Sequence, residues 1–175
     1  MSLRELFDAP QRAGTVQWIG VRPARRARPA QPVDVRAIAG RGLEGDRYDN
    51  RGGARQVTLI QAEHVEAVAA FLGRASLAPE LLRRNLLVRG INLLALKDRQ
   101  FRVGEAVLEW SGLCHPCSRM EDVLGPGGYN AMRGHGGITA RVIASGRIAL
   151  GSEVRVETPD DRAQPPSTRS GESPP

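Results

Sequence analysis

Phe101-Arg102-Val103-Gly104-Glu105-Ala106-Val107-Leu108-Glu109-Trp110 is the stretch that decides the fold, because it holds two short strand patterns separated by a glycine. Valine, leucine and aromatic residues recur in both runs, 101–103 and 106–110, and such runs bounded by glycine are typical of strands. Six more runs of this kind occur at 15–21, 33–38, 56–61, 85–89, 139–144 and 153–156. Eight short strands with glycine-rich separators favour a barrel or a sandwich. The sequence therefore predicts a mainly β fold.

Helical patterns are few and short. Apolar residues recur at the spacing of one helical face within 62–72, which predicts a helix there. Ser118 and Glu121 have the spacing of an N-terminal capping box, and they predict a second helix over 118–124. A short helical turn is predicted at 79–83.

Composition limits the chain to one domain. It has 175 residues, 41% of them hydrophobic, which is enough for one core and too few for two ordinary domains. Only 4% are aromatic, so the core must consist mainly of valine, leucine, isoleucine and alanine. We expect a short N-terminal extension at 1–13, the β domain at 14–157 and a disordered, proline-rich tail at 158–175.

The basic residues are almost all arginine, Lys97 being the only lysine, and the formal net charge is +6. Surfaces that bind nucleic acid usually mix lysine with arginine on one face, whereas these arginines are spread along the chain. Nucleic-acid binding is therefore not expected, and the forked guanidinium groups suit phosphate or carboxylate better. The connector at 22–29, rich in arginine and proline, is interpreted as a solvated loop, with a basic binding surface as the alternative.

The sequence shows no targeting or membrane signal. Its N-terminus lacks the apolar stretch of a signal peptide, and no run reaches transmembrane length. We expect a cytoplasmic protein without membrane association. In that reducing compartment the two cysteines are expected to be reactive or metal-binding rather than a structural disulfide.

Both cysteines fall within 113–121, together with one of the three histidines. Cys117 directly precedes the predicted helix start and lies beside Arg119, and a helix N-terminus and a cation both stabilise a thiolate. It is therefore the candidate nucleophile or metal ligand, with a small buried side chain as the alternative. Cys114 completes a C-x-x-C motif of the kind found in redox and zinc sites. No second motif supplies two further zinc ligands, however, and no βαβ pattern frames a redox pair.

Other candidate binding residues lie in glycine-rich loops or at strand entrances. The glycines of 40–47 let the backbone approach a ligand closely, although a turn with a local ion pair is the alternative. Arginines precede the strands at 56–61 and 86–89, where barrels build sites. The glycine-rich stretch 133–137 offers N–H groups and an arginine to an anion. These segments contain Glu44, Asp46, Arg47, Arg55, Arg84, Asn85 and Arg133.

Taken in order, several segments resemble the MOSC family, the domain named for the C-terminal part of molybdenum-cofactor sulfurases, in its small stand-alone bacterial form. The matching segments are 42–47, 55–60, 84–86, 101–104, 114–117, 136–142 and 146–154. The resemblance implies a closed β-barrel of the MOSC or pyruvate-kinase type, with a few short helices at its rim.

The resemblance also implies a function. MOSC domains handle the pyranopterin molybdenum cofactor or its sulfur, and some reduce N-hydroxylated compounds such as amidoximes and hydroxylamino-purines. In those reductases the cysteine matching Cys117 is a ligand of molybdenum, and arginines hold the phosphate of the pterin. On this basis Cys117 is the predicted catalytic residue and metal ligand, with His115 and His135 as candidate proton donors. The predicted cofactor-binding residues are Glu44, Asp46, Arg47, Arg55, Arg84, Asn85, Arg119 and Arg133.

Two alternatives to a molybdenum-dependent reductase of a small molecule stay open. One is a sulfur carrier that holds a persulfide on Cys117 and needs no cofactor. The other is a non-enzymatic basic binding module. Because the chain has neither iron–sulfur cysteines nor a pyridoxal-phosphate desulfurase domain, a reductase would need a separate electron-donor protein, and a sulfur carrier would need a cysteine desulfurase.

Overall fold

Ten strands form the framework of residues 1–158 and 160–161, the part of the chain that the computed structural model describes. In chain order they are β1 (Gly14–Ile19), β2 (Asp34–Ile38), β3 (Gly42–Leu43), β4 (Val57–Gln61), β5 (Leu86–Arg89), β6 (Gln100–Val103), β7 (Ala106–Leu113), β8 (Ile138–Ala144), β9 (Gly146–Ala149) and β10 (Glu153–Val156). Seven close a barrel in the order β1-β10-β6-β7-β8-β4-β5, and β5 pairs back to β1. The other three form a small sheet in the order β3-β2-β9. The closed barrel confirms the predicted mainly β fold.

Short helices accompany the strands. The α-helices are α1 (Leu3–Asp8), α2 (Ala62–Phe71), α3 (Ser118–Leu124) and α4 (Gly128–Met132), and two 3₁₀ turns span Pro79–Leu82 and Leu93–Leu96. The helices predicted at 62–72 and 118–124 and the turn predicted at 79–83 are confirmed. The sequence does not predict α1 and α4, because segments of six and five residues are too short to show an apolar period.

Two apolar clusters hold the elements together. One fills the barrel with aliphatic side chains around the fully buried Phe101, as the low aromatic content requires. The other packs α2, α3 and α4 against the outside of the barrel. All five residues of β4 are consequently buried, because this strand is covered on both faces. β4 and β5 run parallel and are joined through α2, a βαβ unit that the sequence does not predict.

The start of α3 differs from the sequence prediction. Cys117 occupies the N-cap position, Ser118 is the first helical residue, and the cap makes no side-chain hydrogen bond. The predicted capping box of Ser118 and Glu121 is therefore wrong. The Glu121 carboxylate instead accepts hydrogen bonds of 2.8 Å from the N–H groups of Gly127 and Tyr129, which lower its pKa and tie α3 to α4.

Apart from the end of β7, the eight predicted strands match the observed ones to within two residues. β7 runs on to Leu113, three residues beyond its predicted end. β3 and β9 escape prediction because both begin with glycine, a poor strand former. The predicted tail at 158–175 lies almost entirely outside the described residues. Within those residues, the helices are too short or too polar to span a bilayer.

Candidate functional site

Eight arginines and an exposed cysteine converge on one cleft of about 410 Å3. Its walls come from the connector after β1, the loop after β3, the entrances of β4 and β5, and the loop from β7 into α3. The arginines are Arg22, Arg25, Arg26, Arg47, Arg55, Arg83, Arg84 and Arg119. Tyr48, Thr58, Cys114, His115, Cys117 and Met120 complete the lining. The cleft thus unites residues from distant parts of the sequence.

Carboxylates balance little of the positive charge of the cleft. Among the described residues that line it, none is an aspartate or a glutamate. The effect is visible at Arg83: burial lowers the pKa of its guanidinium, and repulsion from Arg119, Arg22 and Arg47 lowers it further. Because an anion among these groups would relieve their repulsion, the cleft is suited to bind an anionic ligand.

Asp46 holds one of the cleft arginines in place. Its buried carboxylate accepts two hydrogen bonds from the Arg22 guanidinium, at 3.1 and 2.9 Å, and one of 2.8 Å from the Arg22 backbone N–H. Burial by itself raises the pKa of Asp46, but the hydrogen bonds and charge of Arg22 outweigh it, so the pKa is lowered. Asp46 therefore orients an arginine of the cleft.

Asn85 supports the site from behind and does not line the cleft. Its fully buried side chain accepts a hydrogen bond of 3.0 Å from the Thr58 N–H and donates one of 3.0 Å to the Gly20 carbonyl and one of 3.3 Å to Asp46. These bonds join the residue after β1, the start of β4 and the loop that carries Asp46. The residue fixes the positions of its neighbours, and its predicted contact with a cofactor gains no support from its position and stays a prediction.

Arg84 lines the cleft, but its hydrogen bonds go to the protein. It donates to the carbonyls of Gly136 and Leu82, both at 2.7 Å, and to that of Cys114 at 3.4 Å. Burial lowers its pKa, while Cys114 and Cys117 act in the opposite direction. Arg84 therefore connects the 3₁₀ turn before β5 with the cysteine loop and the glycine-rich loop at 134–137.

The two cysteines have different surroundings. Cys114 is buried and its backbone N–H donates to the Gly137 carbonyl at 2.9 Å, whereas Cys117 is exposed at the cleft, and neither forms a disulfide. A Cβ atom on Gly136 would lie 2.0 Å from the Cys114 carbonyl oxygen, so only glycine allows this packing. Across the described ranges, no group of three or more histidine, cysteine, aspartate or glutamate side chains is arranged to hold a metal ion. Cys117 is thus the accessible thiol of the site.

Two cleft arginines hold a backbone conformation that is rare outside glycine. Arg26 has a φ of 65° and Arg83 a φ of 57°, and Asp98 is the one other described non-glycine residue with a positive φ. The left-handed conformation costs about 1–2 kcal/mol per residue. Because such strain clusters at functional sites, its presence at two cleft residues supports a functional role for the cleft.

Some predicted residues lie elsewhere. Glu44 is exposed and lines neighbouring surface hollows, and Arg133 is exposed at the end of α4, outside the described lining of the cleft. His135 packs edge-on against His64, with ring centroids 4.9 Å apart, and is likewise not part of that lining. His115 does line the cleft. The roles predicted for Glu44, Arg133 and His135 therefore gain no support from position and stay predictions.

Four cleft arginines were not among the predicted cofactor-binding residues: Arg22, Arg25, Arg26 and Arg83. Three of them belong to the connector at 22–29, which the sequence led us to interpret as a solvated loop. Its density of arginines was the available signal. Its position beside Cys117 depends on chain segments almost 100 residues apart, so the sequence alone does not reveal it.

The structure thus defines a closed β-barrel protein with an arginine-lined cleft and an accessible thiol. Comparison with known families identifies the family. The family model of the MOSC domain matches residues 46–155. The chain belongs to the MOSC domain family. No curated protein matches it.

Solved structures with the same fold come from several bacteria. The YuaD protein of Bacillus subtilis superposes with a TM-score of 0.72 at 20% identity, over 83% of this chain and 96% of YuaD. YiiM of Escherichia coli gives a TM-score of 0.63 at 20% identity, over 82% of this chain and 70% of YiiM. YiiM of Geobacillus stearothermophilus gives 0.65 at 16% identity, over 83% and 75% of the respective chains. At these identities the likeness extends to the fold.

Proposed function

We propose that the arginine-lined cleft binds the pyranopterin molybdenum cofactor, with Cys117 as a ligand of molybdenum, and that the protein reduces an N-hydroxylated small molecule. The observation that carries the proposal is the accessible thiol of Cys117 beside arginines that no carboxylate of the lining balances. Membership of the MOSC family supplies the cofactor class.

The residues present fit this cofactor. The volume of about 410 Å3 falls within the range of about 300–1,000 Å3 usual for small-molecule sites. Guanidinium groups make paired hydrogen bonds to phosphate, and a thiolate is a soft ligand of the kind that thiophilic metals prefer. When bound, the cofactor would supply two-electron redox chemistry. The protein would supply the anion-binding groups and the thiolate.

Three cleft arginines are assigned to the phosphate. Arg47, Arg55 and Arg119 line the cleft, and within the described part of the chain no hydrogen bond or ion pair occupies their guanidinium groups. Arg22 and Arg84 are assigned to support, because Asp46 and backbone carbonyls hold them. The cleft therefore combines fixed arginines that define its shape with others whose donors are available to a ligand.

His115 is assigned to proton delivery. Reduction of an N–OH group to N–H consumes two electrons and two protons and releases water, so an acid must reach the departing oxygen. The imidazole of His115 lines the cleft two residues before Cys117 and is exposed, so it can exchange protons with solvent. The electrons would come from a separate donor protein.

Metal analysis tests the central assignment. Protein purified from a host that makes the cofactor should contain molybdenum, and Cys117→Ser should lose it. Cys114→Ser is the matched control, because it removes a thiol from the same loop at a buried position. Equal molybdenum content in wild type and Cys117→Ser would reject Cys117 as the ligand.

A sulfur carrier is the second candidate, and the exposure of Cys117 favours it, because a persulfide must be reachable by a donor and an acceptor protein. A cysteine desulfurase would then load the thiol, and no cofactor would be needed. Cyanide treatment of freshly purified protein should release thiocyanate, and Cys117→Ser should abolish the release. Thiocyanate from protein that lacks molybdenum would replace the reductase proposal with this one.

We also propose a cytoplasmic location for either activity. Both cysteines are free, and a thiol that must act as ligand or nucleophile persists in a reducing compartment. Fractionation of the native host, with antibodies against the chain, tests the location.

A further inference from the structure

A second hollow of about 190 Å3 shares a wall with the arginine-lined cleft. Cys114 and His115 line both, so the two cavities adjoin at this segment. The hollow is otherwise built from the start of α2, the second 3₁₀ turn and the loop before β8. We call it the side pocket. Because the shared residues lie two and three positions before Cys117 in the chain, the side pocket is adjacent to the proposed reaction site.

The side pocket differs chemically from the cleft. Its apolar side chains are Leu93, Leu94, Leu113, Pro116 and Ile138. Among its described lining residues none is an arginine, lysine, aspartate or glutamate. A site with such walls favours a neutral, apolar group over a charged one.

His64 adds a polar group to these walls. Its Nδ1 is buried and, like the Nδ1 of His135, has no hydrogen-bond partner in the described part of the chain. Burial, and then the charge of His135, lowers the pKa of His64, so the ring is neutral at neutral pH. A neutral imidazole can make one hydrogen bond as donor and one as acceptor. Gln61 and His115 are the other side chains of the lining that can make strong hydrogen bonds, so the pocket combines apolar walls with a few polar groups for a small substituent.

Size restricts the occupant further. An apolar cavity of about 150 Å3 is known to hold benzene, and the side pocket measures about 190 Å3. It can hold one six-membered ring with a small substituent, but not a long chain or a large fused system.

We propose that the side pocket binds the single aromatic ring of a neutral N-hydroxylated substrate and places its N–OH group in the cleft beside Cys117. This substrate assignment rests on the proposed reductase function, whereas the affinity of the pocket for a ring does not. The pocket thus selects the organic part of the substrate, and the arginines hold the cofactor.

Binding of two neutral amides to the purified full-length protein tests the pocket directly. Benzamide and acetamide share the polar group and differ in the ring. Discrimination by an apolar pocket reaches about tenfold or more for a difference of this kind, so benzamide should bind at least that much more tightly in calorimetric titration. In NMR spectra of the wild-type histidine side chains, benzamide should shift His64 and His115. Shifts at His115 without His64 would place the ring in the cleft and overturn the proposal.

Two substitutions at the mouth of the pocket provide an independent check. Leu94 and Leu113 are each 46% exposed, so tryptophan can be introduced at either site to fill the pocket without entering the core. Leu94→Trp and Leu113→Trp should each weaken benzamide binding about tenfold. Leu150→Trp is the matched control, since Leu150 is also 46% exposed and does not line the pocket. Unchanged affinity in both pocket variants would overturn the proposal.

The same variants separate this proposal from the proposed function. In protein loaded with cofactor, Leu113→Trp should raise KM for benzamidoxime and leave that for acetamidoxime unchanged. Ring binding without reduction of either amidoxime would contradict the reductase function while the ring site stands. Reduction of both amidoximes without selective binding of benzamide would overturn the side-pocket proposal while the reductase function stands.

Discussion

The arginines of the cleft differ from those of the remaining surface in how often a carboxylate neutralises them. Away from the cleft many are paired with a carboxylate: Arg41 with Asp49, Arg89 with Glu66, Arg99 with Asp8, Arg102 with Glu157, Arg147 with Asp34 and Arg155 with Asp161. Among the described residues of the cleft, Arg22 alone has such a partner, Asp46. Arginine content therefore does not locate a binding site, whereas a cluster of arginines without carboxylate partners indicates one.

The largest expected effect comes from breaking the one ion pair of the cleft. Asp46→Asn should lower the free energy of unfolding by about 3 kcal/mol, the low end for a buried ion pair, because Asp46 is fully buried while the Arg22 guanidinium that loses its partner is only partly buried. Asp49→Asn makes the same chemical change in the exposed pair with Arg41 and should change stability little. Urea denaturation measures both. Equal losses would show that burial does not distinguish the two pairs.

The second-largest effect is expected at Arg84, which donates hydrogen bonds to backbone carbonyls. Arg84→Lys should cost about 2–3 kcal/mol, because an ammonium cannot reach the three carbonyls that the guanidinium serves. The loosened loop should also let a thiol reagent reach the buried Cys114 faster. Arg141→Lys, at an exposed position, is the control. Unchanged stability and thiol reactivity would remove Arg84 from this supporting role.

Neutralising the cleft arginines that lack partners should reduce binding and leave stability intact. Arg47→Gln, Arg55→Gln and Arg119→Gln should each weaken pyrophosphate binding by about tenfold, about 1.4 kcal/mol, through loss of a charge-assisted hydrogen bond. The melting temperature should stay level or rise slightly as repulsion falls. Arg147→Gln, which removes an arginine already paired with Asp34, should leave pyrophosphate affinity unchanged. An equal loss in that control would mean that the cleft is not the anion site.

The smallest expected effect is on the pH dependence of stability, and it comes from His64 rather than from an arginine. The pKa of His64 is lowered from 6.5 by burial and by the charge of His135, so the unfolded chain takes up this proton first as the pH falls. The contribution of neutral His64 is therefore complete above about pH 6.5 and is lost as the pH falls through the lowered value. Melting curves between pH 7.5 and 5.5 should show a shallower decline for His64→Gln than for wild type or His115→Gln. An equal decline in His64→Gln and wild type would contradict the lowered pKa of His64.

Local patterns predicted much of this molecule. The eight strands followed from runs of apolar residues bounded by glycine, and α2 from its apolar period, because both patterns reflect which face of a short segment is buried. Cys117 was chosen over Cys114 as the candidate nucleophile or metal ligand, because its position just ahead of a helix is a local property. The structure leaves Cys117 exposed and Cys114 buried, and the role of Cys117 stays a prediction. The capping box was wrong because Glu121 bonds instead to the N–H groups of Gly127 and Tyr129, which belong to the next element.

The sequence by itself determined most of the strand and helix content, the aliphatic core, and the presence of a candidate reactive thiol in a chain rich in arginine. The tertiary structure alone decided which arginines meet that thiol, that Arg84 and Asn85 support the site from within, and that a neutral side pocket adjoins the cleft. The physical reason is the separation along the chain of the residues that interact. Secondary structure is set by neighbours a few residues apart, whereas barrel closure brings together Arg22, Arg55, Arg83 and Cys117, which no local pattern relates.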